Sequence, residues 1–284
     1  MKHLNRNIVI GLVLTSLFVT AALVSLVWTP YSVFEQSIPS RFQLYSWQHW
    51  LGTDQYGRDL LSMLMAGTKN SLLVALIAVG IGAGFGVPLG LAAASKGGWL
   101  DEVLARFSDL AFAFPTLLTA ILLTARFGPG NMNSMIAIGL FNIPVFARIT
   151  RGSAKLIWSL PFIQSAQTLG KSATRISIEH ILPNLAALLI VQATIQLALG
   201  ILAEAGLSFL GLGTQPPDPS LGKMLKEAQT LMYLGPRLVI IPGVVIILMV
   251  IGLNLLGDGL RDYLDPKLRE REAKPLPDEG GKTQ

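Results

Sequence analysis

Long uncharged apolar runs, separated by short polar segments, set the pattern of this chain. A helix that crosses a hydrocarbon layer needs about 20 mostly apolar residues, because no water is present there to satisfy its backbone. Six stretches meet that length: 8–28, 71–95, 103–125, 133–149, 181–203 and 238–257, the third carrying Arg106 and Asp109 near its start. Between them lie a polar segment 29–70, in which a short helix is expected at 59–65, a loop 150–180, a second long segment 206–237 and a tail 258–284. Pro266, Pro275, Pro277, Gly280 and Gly281 make that tail read as a mobile end.

Small residues recur within the second run. Gly82, Gly86 and Gly90 are spaced four apart, with Gly80 and Gly84 on a neighbouring row. That spacing lets helix backbones approach closely, and it suits either packing on a neighbouring helix or a moving, pore-lining surface. Pro88 and Pro115 mark expected kinks.

Composition points to the same solvent. Apolar residues make up 51% of the 284 and charged residues 14%, with a mean hydropathy of +0.55, so lipid suits the chain better than water. A net charge of +5 would suit nucleic acid if the cations formed a patch, but they are parcelled between apolar runs, and no nucleic-acid partner is expected. Lys and Arg collect on the cytoplasmic side of membrane proteins. With the N-terminus inside, 15 of the 22 fall in cytoplasmic segments and 7 in outer ones, so both termini are expected to be cytoplasmic. The first run, with Lys2 and Arg6 before it, resembles a secretion signal, but its 21 uncharged residues exceed an ordinary signal core and no small-residue cleavage site follows. It reads as a retained span. The absence of cysteine excludes a disulfide framework and thiolate metal ligation.

The most informative stretch is the loop. Ser159 and Pro161 suit a helix start, Gly170 suits a left-handed helix end, and Ser172 suits the cap of a second helix entering the membrane near Pro183. Phe162, Ile163, Ala166 and Leu169 recur at helical spacing, which fits a partner's groove or the lipid interface equally well.

This segment resembles the "EAA" loop of membrane subunits of ATP-binding-cassette importers. Leu169, Gly170, Ile181, Leu182, Pro183 and Asn184 match that pattern, while Gln164-Ser165-Ala166 stands where Glu-Ala-Ala is usual. Three further blocks resemble the dipeptide, oligopeptide and nickel family of these importers. They are Leu51-Gly-Thr-Asp54-Gln-Tyr-Gly57-Arg58-Asp59, Ala203-Glu204-Ala-Gly-Leu-Ser208-Phe-Leu-Gly211-Leu-Gly213-Thr-Gln-Pro-Pro217, and Asn254-Leu-Leu-Gly257-Asp258-Gly-Leu-Arg261-Asp262. Met63 departs from the family, where an Arg is common.

The resemblance implies an all-α integral membrane fold: six transmembrane helices, a five-helix core from spans two to six and a peripheral N-terminal helix. It implies a permease that works with a homologous second permease, two ATPase subunits and an extracytoplasmic solute-binding protein in a bacterial inner membrane, surrounded by lipid. Di- and oligopeptides are the favoured cargo, with nickel chelates, opines or glutathione-like solutes as alternatives. The ATPase-coupling residues it implies are Pro161, Phe162, Ile163, Gln164, Ala166, Leu169, Gly170, Lys171 and Arg175. Gln164 puts an ion pair to the ATPase at that position in doubt.

No cofactor is expected in this chain. A phosphate-cradling loop needs G-x-x-x-x-G-K-[ST]. Gly170-Lys171-Ser172 has Ser165 in place of the first Gly, and Gly281-Lys282-Thr283 has Leu276 there, so ATP and magnesium belong to partner subunits. A protease pairing Ser208 with His180 fails because about 40 Å of continuous helix separates them. An aspartyl pair of Asp109 and Asp258 lacks the expected Gly, residue 255 being Leu. His3, His49 and His180 fall too far apart in the topology for one metal site. Asp109 and Glu204, ionisable and near span ends, are the candidates for translocation or gating. Arg58 is expected to join Asp54 and Asp59 in an outer ion-pair and capping network.

Overall fold

The computed structural model describes residues 6–264; Lys2, His3 and the tail from Asp265 onward lie outside them. The described residues build ten α-helices and no β-sheet: α1 (Arg6–Val24), α2 (Leu60–Lys96), α3 (Gly98–Ala113), α4 (Thr116–Phe127), α5 (Asn131–Trp158), α6 (Pro161–Thr168), α7 (Ala173–Ile176), α8 (Leu182–Leu210), α9 (Leu221–Ala228) and α10 (Arg237–Leu264). The helices α1, α2, α5, the run Ala173–Leu210 and α10 are long and apolar enough to cross a membrane. The pair α3 and α4 meets the same test only when taken together, and it is bent by 86° between the two helices, so five helices, or six if the pair is one broken span, can cross.

That bend corrects the expected third span. Phe114 (φ −102°, ψ 137°) and Pro115 (φ −60°, ψ 127°) are both extended, so the helix stops and restarts rather than kinking. A proline disfavours helical geometry in the residue before it, and here the disruption extends over two residues. Pro88, by contrast, lies inside an unbroken α2.

The expected short helix at 59–65 is not separate. Asp59 caps the N-terminus of α2, accepting from the Ser62 amide at 2.9 Å, and the helix then runs 37 residues, about 55 Å, without interruption. Thr68 and Asn70, expected in the outer segment 29–70, are buried, as is Ser71 at the start of the second run.

The glycine row of α2 packs against α5. A Cβ on Gly82 would lie 2.3 Å from Asn142 Cβ, one on Gly86 2.5 Å from the Ile143 carbonyl oxygen, and one on Gly90 2.6 Å from that of Ala147. Gly80 and Gly84 face open space. The packing reading of the row therefore holds within this chain. α1 lies on α10 in the same manner, Gly11 against the Leu255–Leu256 backbone, and Gly252 and Gly259 against Leu14 and Ile8, which leaves most of α1 exposed at the periphery.

Two apolar clusters mark the two ends of the bundle. Leu60, Met63, Leu221, Met224 and Leu238 join the starts of α2, α9 and α10 at one end. Leu91, Ala154, Ile163, Ile176, Ile181 and Leu185 join α2, α5, α6 and the helix leading into α8 at the other.

Candidate functional site

The loop folds as a short helix, a sharp turn and a second helix. Pro161 opens α6, where its missing N–H costs nothing. The residue flanking α6 is Leu160, not Ser159; the Ser159 hydroxyl instead donates to the Leu156 carbonyl at the end of α5. Gly170 adopts φ +79°, and the Lys171 amide reaches back to the Ala166 carbonyl at 3.2 Å. Only glycine takes that backbone region without a Cβ penalty. Ser172 then caps α7, accepting from the Arg175 amide.

The four apolar residues of α6 and its turn divide between two faces. Ile163 and Ala166 are buried in the chain's own cluster, whereas Phe162 is 46% and Leu169 82% exposed. Ile163 and Ala166 thus anchor α6 to the bundle, covered by the end of α5 and the Ile176–Ile181 turn. Phe162 and Leu169, with the amide of Gln164, remain on the outward side.

The basic residues of the loop are held from behind. Glu179 takes Lys171 Nζ at 2.8 Å and Arg175 Nε at 2.6 Å, and Lys171 Nζ also lies 3.0 Å from His180 Nε2. Glu179 and His180 sit in a π turn, Ser177–Ile181, where the Leu182 amide bonds five residues back to Ser177. Pro183, lacking an amide hydrogen and crowding the preceding turn, accounts for the extra residue. The Asn184 side chain donates to the His180 carbonyl at 2.6 Å. At the same end, Asp101 of α3 takes Arg151 at 2.5 Å and Lys155 at 2.6 Å, tying the 97–101 turn to the end of α5.

The two gating candidates separate. Asp109 pairs with Arg148 of α5 at 3.4 Å, both side chains more than half exposed, and the Arg148 guanidinium stacks over Phe112 at 5.1 Å. This surface is open to whatever lies beside the chain. Glu204 is wholly buried. Its carboxylate accepts from Ser71 Oγ at 2.5 Å, Ser208 Oγ at 2.6 Å and, more distantly, Thr214 Oγ1 at 3.4 Å, so it joins α2, α8 and the segment after α8. Each donor is a hydroxyl, and a buried carboxylate needs such partners to offset its lost hydration.

A second polar cluster, at the opposite end from the loop, was only half legible. Arg58 pairs with Asp54 at 2.6 Å as expected, but its other arm reaches Glu227 of α9 at 2.7 Å, and Asp59 turns away to cap α2 and meet His49. Burial opposes the Arg58 charge, yet Asp54 and Glu227 outweigh it and raise its pKa above the ordinary value. Lys223, beside Glu227, is pushed down by burial, which Glu227 partly offsets and Arg58 reinforces. The helix α9 was not expected; Ser220 as cap followed by Leu221, Met224, Leu225 and Ala228 at helical spacing was the signal for it.

Ser208 and His180 lie at opposite ends of the run Ala173–Leu210, bound to Glu204 and Lys171. No nucleophile and base meet there.

Residues 86–270 match the family described as "Binding-protein-dependent transport system inner membrane component". The chain is 40% identical over 270 residues to a dipeptide transport system permease protein of Alkalihalophilus pseudofirmus, covering 94% of this chain and 89% of that one. It is 44% identical over 224 residues to a glutathione transport system permease protein of Escherichia coli, covering 79% and 74%. Its backbone is similar to that of a chain in the inward-facing MetNI methionine ABC transporter, with a TM-score of 0.60 at 17% identity over 72% of this chain and 96% of that one. With five apolar helices long enough to cross a membrane and a bent sixth pair, a helix-turn-helix loop before α8 and no nucleotide-cradling motif, this chain belongs to the binding-protein-dependent transport system inner membrane components: it is a multi-pass permease subunit of an ABC importer whose ATP is bound and hydrolysed by partner subunits.

Proposed function

We propose that this permease admits short peptides and peptide-like solutes, and that α6 with its Gly170 turn is the element that receives the ATPase stroke. Support for the cargo comes from the relatives, one named for dipeptides and the other for glutathione, itself a tripeptide. The shared chemistry is a short amide chain with free charged ends. Nickel chelates remain the alternative cargo, to be decided by uptake.

The observation that carries the coupling role is the division of α6. Ile163 and Ala166 fix the helix to the bundle, so force applied to Phe162 and Leu169 is passed to α5 and to the helix leading into α8 rather than lost in loop motion. Pro161, Gln164, Lys171 and Arg175 complete the loop, the last two braced by Glu179. In this reading the loop and both termini are cytoplasmic, a homologous second permease completes the pathway, two ATPases sit below and a solute-binding protein delivers from outside. Asp109 with Arg148, exposed beside Phe112, is the polar pair placed to face the second permease or the pathway.

Affinity purification from native membranes in mild detergent, followed by ATPase assay and peptide uptake in proteoliposomes, tests this. Recovery of a second permease and ATPases, with ATP-dependent uptake of a labelled dipeptide, is the expected result. Uptake of a nickel chelate alone refutes the cargo, and conduction by this chain alone refutes the mechanism.

A further inference from the structure

The segment 42–52 between α1 and α2 closes on itself. Gln43 and Thr53 pair at its base, the Thr53 amide donating to the Gln43 carbonyl at 3.0 Å, and Ser46 and His49 close its tip, the Ser46 amide donating to the His49 carbonyl at 2.8 Å. No Asp, Glu, Lys or Arg occurs between Arg41 and Asp54. Its one histidine, His49, is turned inward onto Asp59 at 2.9 Å. What it presents outward is aromatic: Tyr45 is 77%, Trp47 97% and Trp50 66% exposed. Exposed aromatic groups on this scale mark an interaction surface.

Two independent contacts fix the level of this hairpin. Tyr31, just beyond the end of the first apolar run, donates its hydroxyl to the Gln48 carbonyl at 2.8 Å and stacks on His49 at 4.5 Å. Arg237, the first residue of α10, donates to the Gln43 carbonyl at 2.6 Å and to that of Thr53 at 3.3 Å. The first run and the apolar part of α10 each span about 30 Å, the thickness of a hydrocarbon core, and both reach their ends here. The hairpin therefore sits where hydrocarbon gives way to headgroups, continuous with the exposed Val27 and Trp28 that end the first run. Trp and Tyr collect at that boundary because their rings are apolar while an N–H or O–H still reaches water.

We propose that the 44–50 hairpin is a lipid anchor, its Tyr45, Trp47 and Trp50 rings seated in the headgroup boundary of the membrane face on which it lies. This role is separate from cargo and coupling. It holds the starts of α2 and α10 at a fixed depth through Asp59 and Arg237.

The test uses the assembled transporter in vesicles, with the other four tryptophans replaced by phenylalanine so that only Trp47 emits, and a second version retaining only Trp50. Phosphatidylcholine brominated near the headgroup or deep in the acyl chain is the quencher, with iodide as the aqueous probe. Loss of emission to the shallow bromolipid exceeding that to the deep one, together with weak iodide quenching, is the expected result in both versions. Full iodide quenching with no effect of bromolipid overturns the proposal. So does silence to both, which assigns the rings to the second permease, and so does protection from iodide only when solute-binding protein is added, which assigns them to that protein.

Discussion

The carboxylate of Glu204 accepts a 2.5 Å hydrogen bond from the hydroxyl of Ser71, a residue 133 positions earlier in the chain. One buried side chain thereby closes α2 onto α8, and through Ser208 and Thr214 it also fixes the segment that leads to α9. Replacing Glu204 with leucine strands the Ser71 and Ser208 hydroxyls without an acceptor, each loss costing about 1–3 kcal/mol, whereas Thr214 keeps Asn131 Oδ1 at 2.6 Å. The melting temperature of the detergent-solubilised permease should fall clearly for Glu204→Leu and much less for Glu204→Gln, which keeps an acceptor oxygen. Equal melting of Glu204→Leu and the parent protein would show that the carboxylate is not a structural tie.

Gly84 and Gly86 provide a matched pair. A methyl group on Gly86 meets the Ile143 carbonyl and Phe146 Cβ, while one on Gly84 meets nothing within 4 Å. Gly86→Ala should lower thermal stability by about 1–3 kcal/mol through forced separation of α2 from α5. Gly84→Ala should be neutral or gain up to about 1 kcal/mol from helix propensity. A scanning assay of the two purified variants separates the outcomes, and identical losses would place the close approach on the wrong row.

The outer cluster predicts non-additivity. Arg58 bridges Asp54 and Glu227, so Arg58→Ala leaves Asp54 without its cation and Glu227 with only Lys223, 4.0 Å away. Removing one partner of such a pair costs about 3–5 kcal/mol when fully buried, and the partial exposure of Glu227 reduces that. Glu227→Gln in the Arg58→Ala background should then cost little more. A double-mutant cycle by thermal melting reads this coupling, and strict additivity would deny it.

Gly170 tests the loop. Its φ of +79° costs a branched or bulky residue about 1–2 kcal/mol, so Gly170→Leu should displace Leu169 and Lys171 from their places. ATP hydrolysis should persist while dipeptide uptake falls severalfold, and Gly170→Asn, which tolerates this region better, should recover part of it. Unchanged uptake in Gly170→Leu would remove the turn from the mechanism.

Apolar runs were legible in the sequence because the bilayer imposes a length, and length survives ignorance of packing. The polarity of Thr68 and Asn70 misled in the opposite way. It reads as the end of an outer segment, yet both are buried and Asn70 donates to the Pro219 carbonyl, a partner 149 residues away that no local pattern reveals, as is Glu204 for Ser71 at the start of the second run. Pro115 announced only a kink, whereas the 86° turn depends on Phe114 and Pro115 both leaving helical geometry. In the loop, Gly170 and Ser172 were readable from backbone chemistry alone. The division of Phe162 and Leu169 from Ile163 and Ala166 was not, since it depends on which side α5 and the Ile176–Ile181 turn cover.

The chain has no cysteine, so a single introduced thiol is unambiguous. Leu169→Cys, assembled with its partner subunits and treated with a short thiol-reactive photocrosslinker, reads directly what the exposed side of α6 touches. Attachment to an ATPase subunit, altered when nucleotide is bound, is the result predicted here. Attachment to lipid alone, with the ATPase unlabelled in every nucleotide state, would contradict the account of how this permease is driven.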